Sequence, residues 1–127
     1  MMRIFWICLG GAAGTLCRYL LTGWLPRILG AGFPYGTLVV NGLGSFLLVF
    51  IMQVATMTEG FSPTLRLALT TGVMGGLTTY STFNYETLRF FEERAWGLGI
   101  TNFGLTAIVC LVAGVLGRIC GRLLTGS

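Results

Sequence analysis

Apolar residues fall in four blocks along the chain, each close to the ~20 residues that a membrane-spanning helix needs. The blocks cover about 4–24, 35–57, 64–92 and 96–124. LPRILGAGFP joins the first two, with Pro26 and Pro34 as helix breakers, and the polar link TEGFSP precedes the third. These links are too short to fold alone. The pattern predicts an all-α membrane protein, with residues 1–127 forming a single four-helix membrane domain.

Composition supports a lipid solvent. Hydrophobic residues make up 54% of the chain, charged residues 9%, and the mean hydropathy is +0.83. A soluble domain carries about 25% charged residues, and a chain this short could not bury so much apolar surface in a core of its own. Met1–Leu9 resembles the start of a signal peptide, and GTLC resembles a lipoprotein cleavage site. Leu16, however, stands where a small residue is required, and Arg18 follows inside the same block. The first block is therefore read as retained.

All eight basic residues are arginine, and the chain has no Lys, His or Asp. The arginines are scattered, so the net charge of +4 makes no basic face and nucleic acid is not expected as a partner. Cys8, Cys17, Cys110 and Cys120 lie in apolar segments without metal-ligand spacing and read as small buried hydrophobes. If the four blocks cross in turn, Arg3, Arg66, Arg118 and Arg122 lie on one side and Arg27, Arg89 and Arg94 on the other. This near balance leaves insertion both ways up open, and with it an antiparallel dual-topology homodimer. Three GxxxG pairs, Gly10/Gly14, Gly72/Gly76 and Gly117/Gly121, point to close helix packing.

The densest polar chemistry lies inside the third block, in GGLTTYSTFNYE, Gly75–Glu86. Its β-branched and aromatic alternation suits a strand, but a lone strand in lipid leaves its backbone unsatisfied. Two readings remain: a helix broken near Gly75–Thr79, or an unbroken helix with a glycine-rich packing face. Broken helices free carbonyls that can coordinate a cation. On a helix Thr79, Phe83 and Glu86 lie close together, with Ser81 and Tyr85 on another side. In the second block Thr37, Asn41 and Ser45 make a polar line, read either as a pathway or as interhelical hydrogen bonding. Asn102, Thr106 and Cys110 repeat that spacing in the fourth. Hydroxyls, amides and ring edges offer partial positive charge, which suits a small anion. Arg18 adds a fixed positive charge, read equally as a side chain snorkelling to the interface.

GGAAGTLCRY, YGTLVVNGLGSF and above all GGLTTYSTFNYE resemble the Fluc (CrcB) fluoride channels, over essentially the whole chain. The resemblance implies a channel rather than an enzyme. It implies passive export of cytoplasmic fluoride through two pores of an antiparallel homodimer in the bacterial inner membrane. Asn41, Tyr80, Ser81, Thr82, Phe83 and Thr106 are the expected pore residues, with Tyr80 and Phe83 as paired aromatic rings. Arg18 and Glu86 match motif positions, either anion-attracting or structural. Gly75 and Thr78 match backbone carbonyls that hold a structural Na⁺ on the dimer axis. The sequence departs from the family at Tyr80, usually Phe, where the phenol adds a donor and bulk. Burying an ion of carboxylate size costs on the order of 20 kcal/mol, so such a pore must replace water with many weak donors. A small four-helix multidrug exporter is the alternative, but it relies on a carboxylate in the first span, and this first block has none.

Overall fold

In the computed structural model, which describes residues 1–126, the chain is helical and no strand occurs among the described residues. α1 spans Met2–Leu29 and α2 Tyr35–Met57. The third block folds as α3 (Pro63–Leu67), a π-helical stretch (Ala68–Met74), α4 (Gly75–Leu77) and α5 (Tyr80–Glu92). α6 spans Trp96–Thr125.

α1 outruns its apolar block. It was expected to end near Trp24 but continues through Pro26 to Leu29. A proline removes one backbone donor, which a membrane helix tolerates. Gly30, at φ 95°, then ends the helix, its N–H donating to the Pro26 carbonyl at 2.9 Å. α2 starts directly after Pro34 and ends where the polar link begins. Ser62 caps α3 by accepting from the Leu65 N–H at 3.3 Å, with Pro63 at the first helical position.

α1, α2 and α6 are each long and apolar enough to cross a membrane. The third block is interrupted instead. Thr78 (ψ 153°) and Thr79 (φ −150°) are extended, between α4 and α5. With 13 residues, α5 rises only about 20 Å. That falls short of a ~30 Å hydrocarbon core, so α5 alone cannot span it.

The glycines set the helix contacts. A methyl group on Gly14 would overlap the Val73 carbonyl, and one on Gly76 would meet the Gly11 carbonyl oxygen at 2.5 Å and the Thr15 amide at 2.9 Å. Gly117 lies against the Phe46 backbone and Gly121 against the Gln53 side chain. All three GxxxG pairs are thus places where helices touch. α1 runs alongside the third block, Gly10 opposite Ala68 and Gly14 opposite Val73; α2 runs alongside α6 in the same fashion.

The interior is thin. Val40, Met74 and Leu77 are buried, with Leu21, Leu47, Ile51 and Val73 packed around them. Large apolar side chains such as Leu16, Leu20, Ile108 and Leu111 are exposed, the reverse of what a water-soluble fold does with its apolar surface. Cys8, Cys17 and Cys120 are exposed too, because they face away from neighbouring helices, and Cys110 is half-buried. The expectation of buried cysteines fails for three of the four.

Candidate functional site

The break is built by side chains from two other helices. Asn41 on α2 pairs with the backbone of Thr79 at two points, its N–H and its carbonyl. Its Nδ2 donates to the Thr79 carbonyl at 2.9 Å, and its Oδ1 accepts from the Thr79 N–H at 2.7 Å. The carboxamide supplies the hydrogen bonds that an extended residue at membrane depth would otherwise lack. Arg18 on α1 donates from Nε to the Gly76 carbonyl at 3.0 Å. It is half-buried and bonded inward rather than snorkelling. Thr78 donates from both its N–H and its hydroxyl to the Met74 carbonyl, at 3.0 and 2.9 Å.

α5 restarts on a side-chain cap. The Thr79 hydroxyl accepts from the Thr82 N–H at 3.2 Å and donates to the Thr82 hydroxyl at 3.0 Å. Ser81 Oγ lies 3.4 Å from the same oxygen but faces outward. The glycines of this segment remain helical. Gly72 and Gly76 pack on α1, while Gly75 is exposed with room around it. Both sequence readings of the segment therefore describe part of it: a glycine packing face, followed by a break at the threonines.

Beside the break lies a cavity of about 450 Å³. Asn41 and Ser45 line it from α2, Thr78 from the break, Tyr80 and Phe83 from α5, and Thr106 from α6. No lining side chain is charged. Tyr80 and Phe83 meet edge to face, centroids 5.6 Å apart at 64°. Phe83 is 6% exposed and stacks on Phe103 at 6.1 Å, whereas Tyr80 is 72% exposed. Thr106 is 6% exposed, and its Oγ1 is buried with no hydrogen-bond partner. A helical threonine usually bonds its own backbone one turn back, and this hydroxyl makes no such bond.

The other expected residues stand apart from this cavity. Thr82 and Ser81 gather instead around the Thr79 hydroxyl at the start of α5. Glu86 lines a second cavity of about 430 Å³, with Arg89 and Glu93, near the α1–α2 loop. The Thr37 side chain approaches Glu86, whose Oε1 is buried and unpartnered. One buried relay was not anticipated. Asn102, 1% exposed, donates from Nδ2 to the Thr87 hydroxyl at 2.9 Å, and Thr87 donates to the Phe83 carbonyl at 2.8 Å. The four-residue spacing marked Asn102, but nothing in the pattern marks Thr87 or the stacking of Phe103. Among the described residues no group of three or more His, Cys, Asp or Glu side chains can hold a metal.

Three helices long and apolar enough to cross a membrane, packed with an interrupted third segment beside an uncharged cavity, define a multi-pass membrane protein. Residues 5–118 match the family described as CrcB-like protein, Camphor Resistance (CrcB). The chain is 59% identical over 122 residues to the fluoride-specific ion channel FluC of Sorangium cellulosum (strain So ce56), covering 96% of each chain. It is 46% identical over 126 residues to that of Anaeromyxobacter sp. (strain K), covering 99% of this chain and 100% of the other. Against that of Citrifermentans bemidjiense the identity is 43% over 124 residues, covering 98% and 100%. The chain belongs to the CrcB family. The relatives it matches are named as ion channels, not as enzymes.

Proposed function

We propose that this protein is a fluoride-selective channel that lets cytoplasmic fluoride out passively through two pores of an antiparallel homodimer in the bacterial inner membrane. The names of the relatives point to the ion. The observation that carries the reading is the uncharged cavity beside the break, lined by Asn41, Tyr80, Phe83 and Thr106. An anion entering there meets the Asn41 amide, the Thr106 side chain and two aromatic ring edges. Ring edges carry partial positive charge, and each such contact is weak enough to release the ion. A cationic side chain on the same path would hold the anion, and none lines this cavity.

The second subunit would complete the pore. Tyr80 lines the cavity yet is 72% exposed in one chain, so the cavity is open on that side. A second chain packed against the break would close it. The donor set also fits the structural Na⁺. The Gly75 and Thr78 carbonyls lose their helical donors, since the Thr79 N–H turns to Asn41 and the Thr82 N–H to Thr79 Oγ1. Backbone oxygens suit a hard cation. Bound there, Na⁺ would neutralise the two dipoles and tie the break to the partner.

The test is efflux from liposomes. Purified protein should release trapped fluoride down its gradient and retain chloride. Liposomes that hold fluoride at the protein-free rate would overturn the proposal, and drug efflux coupled to protons would favour the exporter class.

A further inference from the structure

The third crossing is broken because identified amides are diverted from identified carbonyls. In a continuous helix the Thr79 N–H would bond the Gly75 carbonyl and the Thr82 N–H the Thr78 carbonyl. Asn41 Oδ1 takes the first at 2.7 Å and Thr79 Oγ1 the second at 3.2 Å. Two further carbonyls at the break have side-chain partners: Gly76 O accepts from Arg18 Nε at 3.0 Å, and Thr79 O from Asn41 Nδ2 at 2.9 Å. Asn41 is therefore more than a wall of the cavity. It is half-buried on α2, 38 residues away in sequence, and holds the two successive peptides that flank the Thr79 Cα, one by its N–H and the next by its carbonyl.

We propose that Asn41 is a positioning residue that holds the break open, and that it couples the anion cavity to the freed carbonyls of Gly75 and Thr78. The inference rests on the channel reading for its anion and on the backbone site for its cation. A carboxamide nitrogen has two hydrogens. One is fixed on the Thr79 carbonyl, which leaves the other for the cavity that Asn41 lines. A cation at Gly75 and Thr78 stiffens the break, the break orients Asn41, and Asn41 presents its remaining hydrogen to the anion. Coupling of this kind is reciprocal, so an anion in the cavity strengthens cation binding by the same factor.

Hydrogen exchange of the Thr79 and Thr82 amides, followed by NMR on the full chain in micelles, tests this without measuring transport. In the wild type, replacing Na⁺ by N-methylglucamine should speed Thr79 exchange about tenfold, the loss of roughly one hydrogen bond's worth of protection. Asn41→Leu, which removes both contacts at similar size, should speed it at least tenfold even in Na⁺ and abolish the Na⁺ effect. Asn41→Asp keeps the acceptor for the Thr79 N–H but adds a charge to the cavity. It should hold Thr79 protected while fluoride efflux collapses, a split that a merely structural role does not produce. Wild-type protection of Thr79 in Asn41→Leu overturns the proposal. Should that variant fail to fold, Thr79 exchange in the wild type that ignores Na⁺ overturns the coupling instead. If the wild type moves no fluoride yet shows the Na⁺-dependent protection, the channel reading falls and the positioning role stands.

Discussion

At the scale of single residues, Thr106 separates packing from permeation. Its hydroxyl is buried without a partner, a state that costs about 1–3 kcal/mol for a polar group, and the residue lines the cavity. Thr106→Val keeps the shape and removes the orphan, so the fold should gain stability by about 1 kcal/mol. A hydrogen bond to a charged group contributes about 1.5–3 kcal/mol. Fluoride efflux should therefore fall at least tenfold in the same protein. Thermal unfolding in detergent and liposome efflux read the two signs, and unchanged efflux would remove Thr106 from the path. The rings make a second test. Phe83 is buried against Tyr80 and Phe103. Phe83→Ile removes the ring edge but little bulk, so efflux should drop while the protein stays folded, at a cost below about 1.5 kcal/mol. Tyr80→Phe removes only the phenol hydroxyl from the cavity wall and should raise throughput. If both variants conduct at the wild-type rate, the rings are packing alone.

At the scale of elements, what the sequence reveals depends on whether one helix suffices to explain it. The bounds of α2 follow from Pro34 at one end and the polar link at the other. Its polar line was legible from spacing, since Thr37, Asn41 and Ser45 share a face. The break falls inside the stretch Gly75–Thr79 where it was expected, but which residues of that stretch open was not legible. Glycines 72, 75 and 76 weaken a helix by propensity, yet the chain stays helical through them and opens at Thr78–Thr79. The reason is tertiary. Gly72 and Gly76 are needed small against α1, and the interruption forms where Asn41 and Arg18 can satisfy the released backbone. Neither partner can be inferred from the local pattern. The extension of α1 past Pro26 has the same character, because a proline's breaking power depends on what surrounds it. The packing role of the glycines predicts a contrast. Gly76→Val must intrude on the Gly11 carbonyl and Thr15, which should cost at least about 2 kcal/mol. Gly97, exposed on α6 with no atom near its missing Cβ, should accept Ala with a gain of up to about 1 kcal/mol. Yields of folded protein on gel filtration distinguish them, and equal yields would mean that α1 does not pack as closely as the carbonyl contacts imply.

At the scale of the whole molecule, one chain is an incomplete object. Its cavity is open at Tyr80, Gly75 is exposed beside the break, and few large side chains are buried. With α1 and α6 running in opposite directions, Arg3, Arg66, Arg118 and Arg122 gather at one end, and Arg27, Arg89 and Arg94 lie towards the other. The positive-inside preference acts through such counts, and here it is nearly cancelled. Chains should therefore insert in both orientations in the same membrane, and pairing one of each would bring two identical breaks together across an axis. The expected result is that cysteine tags at either terminus, probed in intact cells with an impermeant thiol reagent on a background lacking the native cysteines, are each labelled in about half of the molecules. Adding three lysines to the α2–α3 link should shift nearly all chains to one orientation and, by starving the membrane of the opposite one, abolish fluoride efflux. Co-expressing a second gene with lysines in the α1–α2 loop should restore it. A wild-type chain labelled from one side only, or a lysine-biased chain that still conducts alone, would show that the functional unit is not antiparallel.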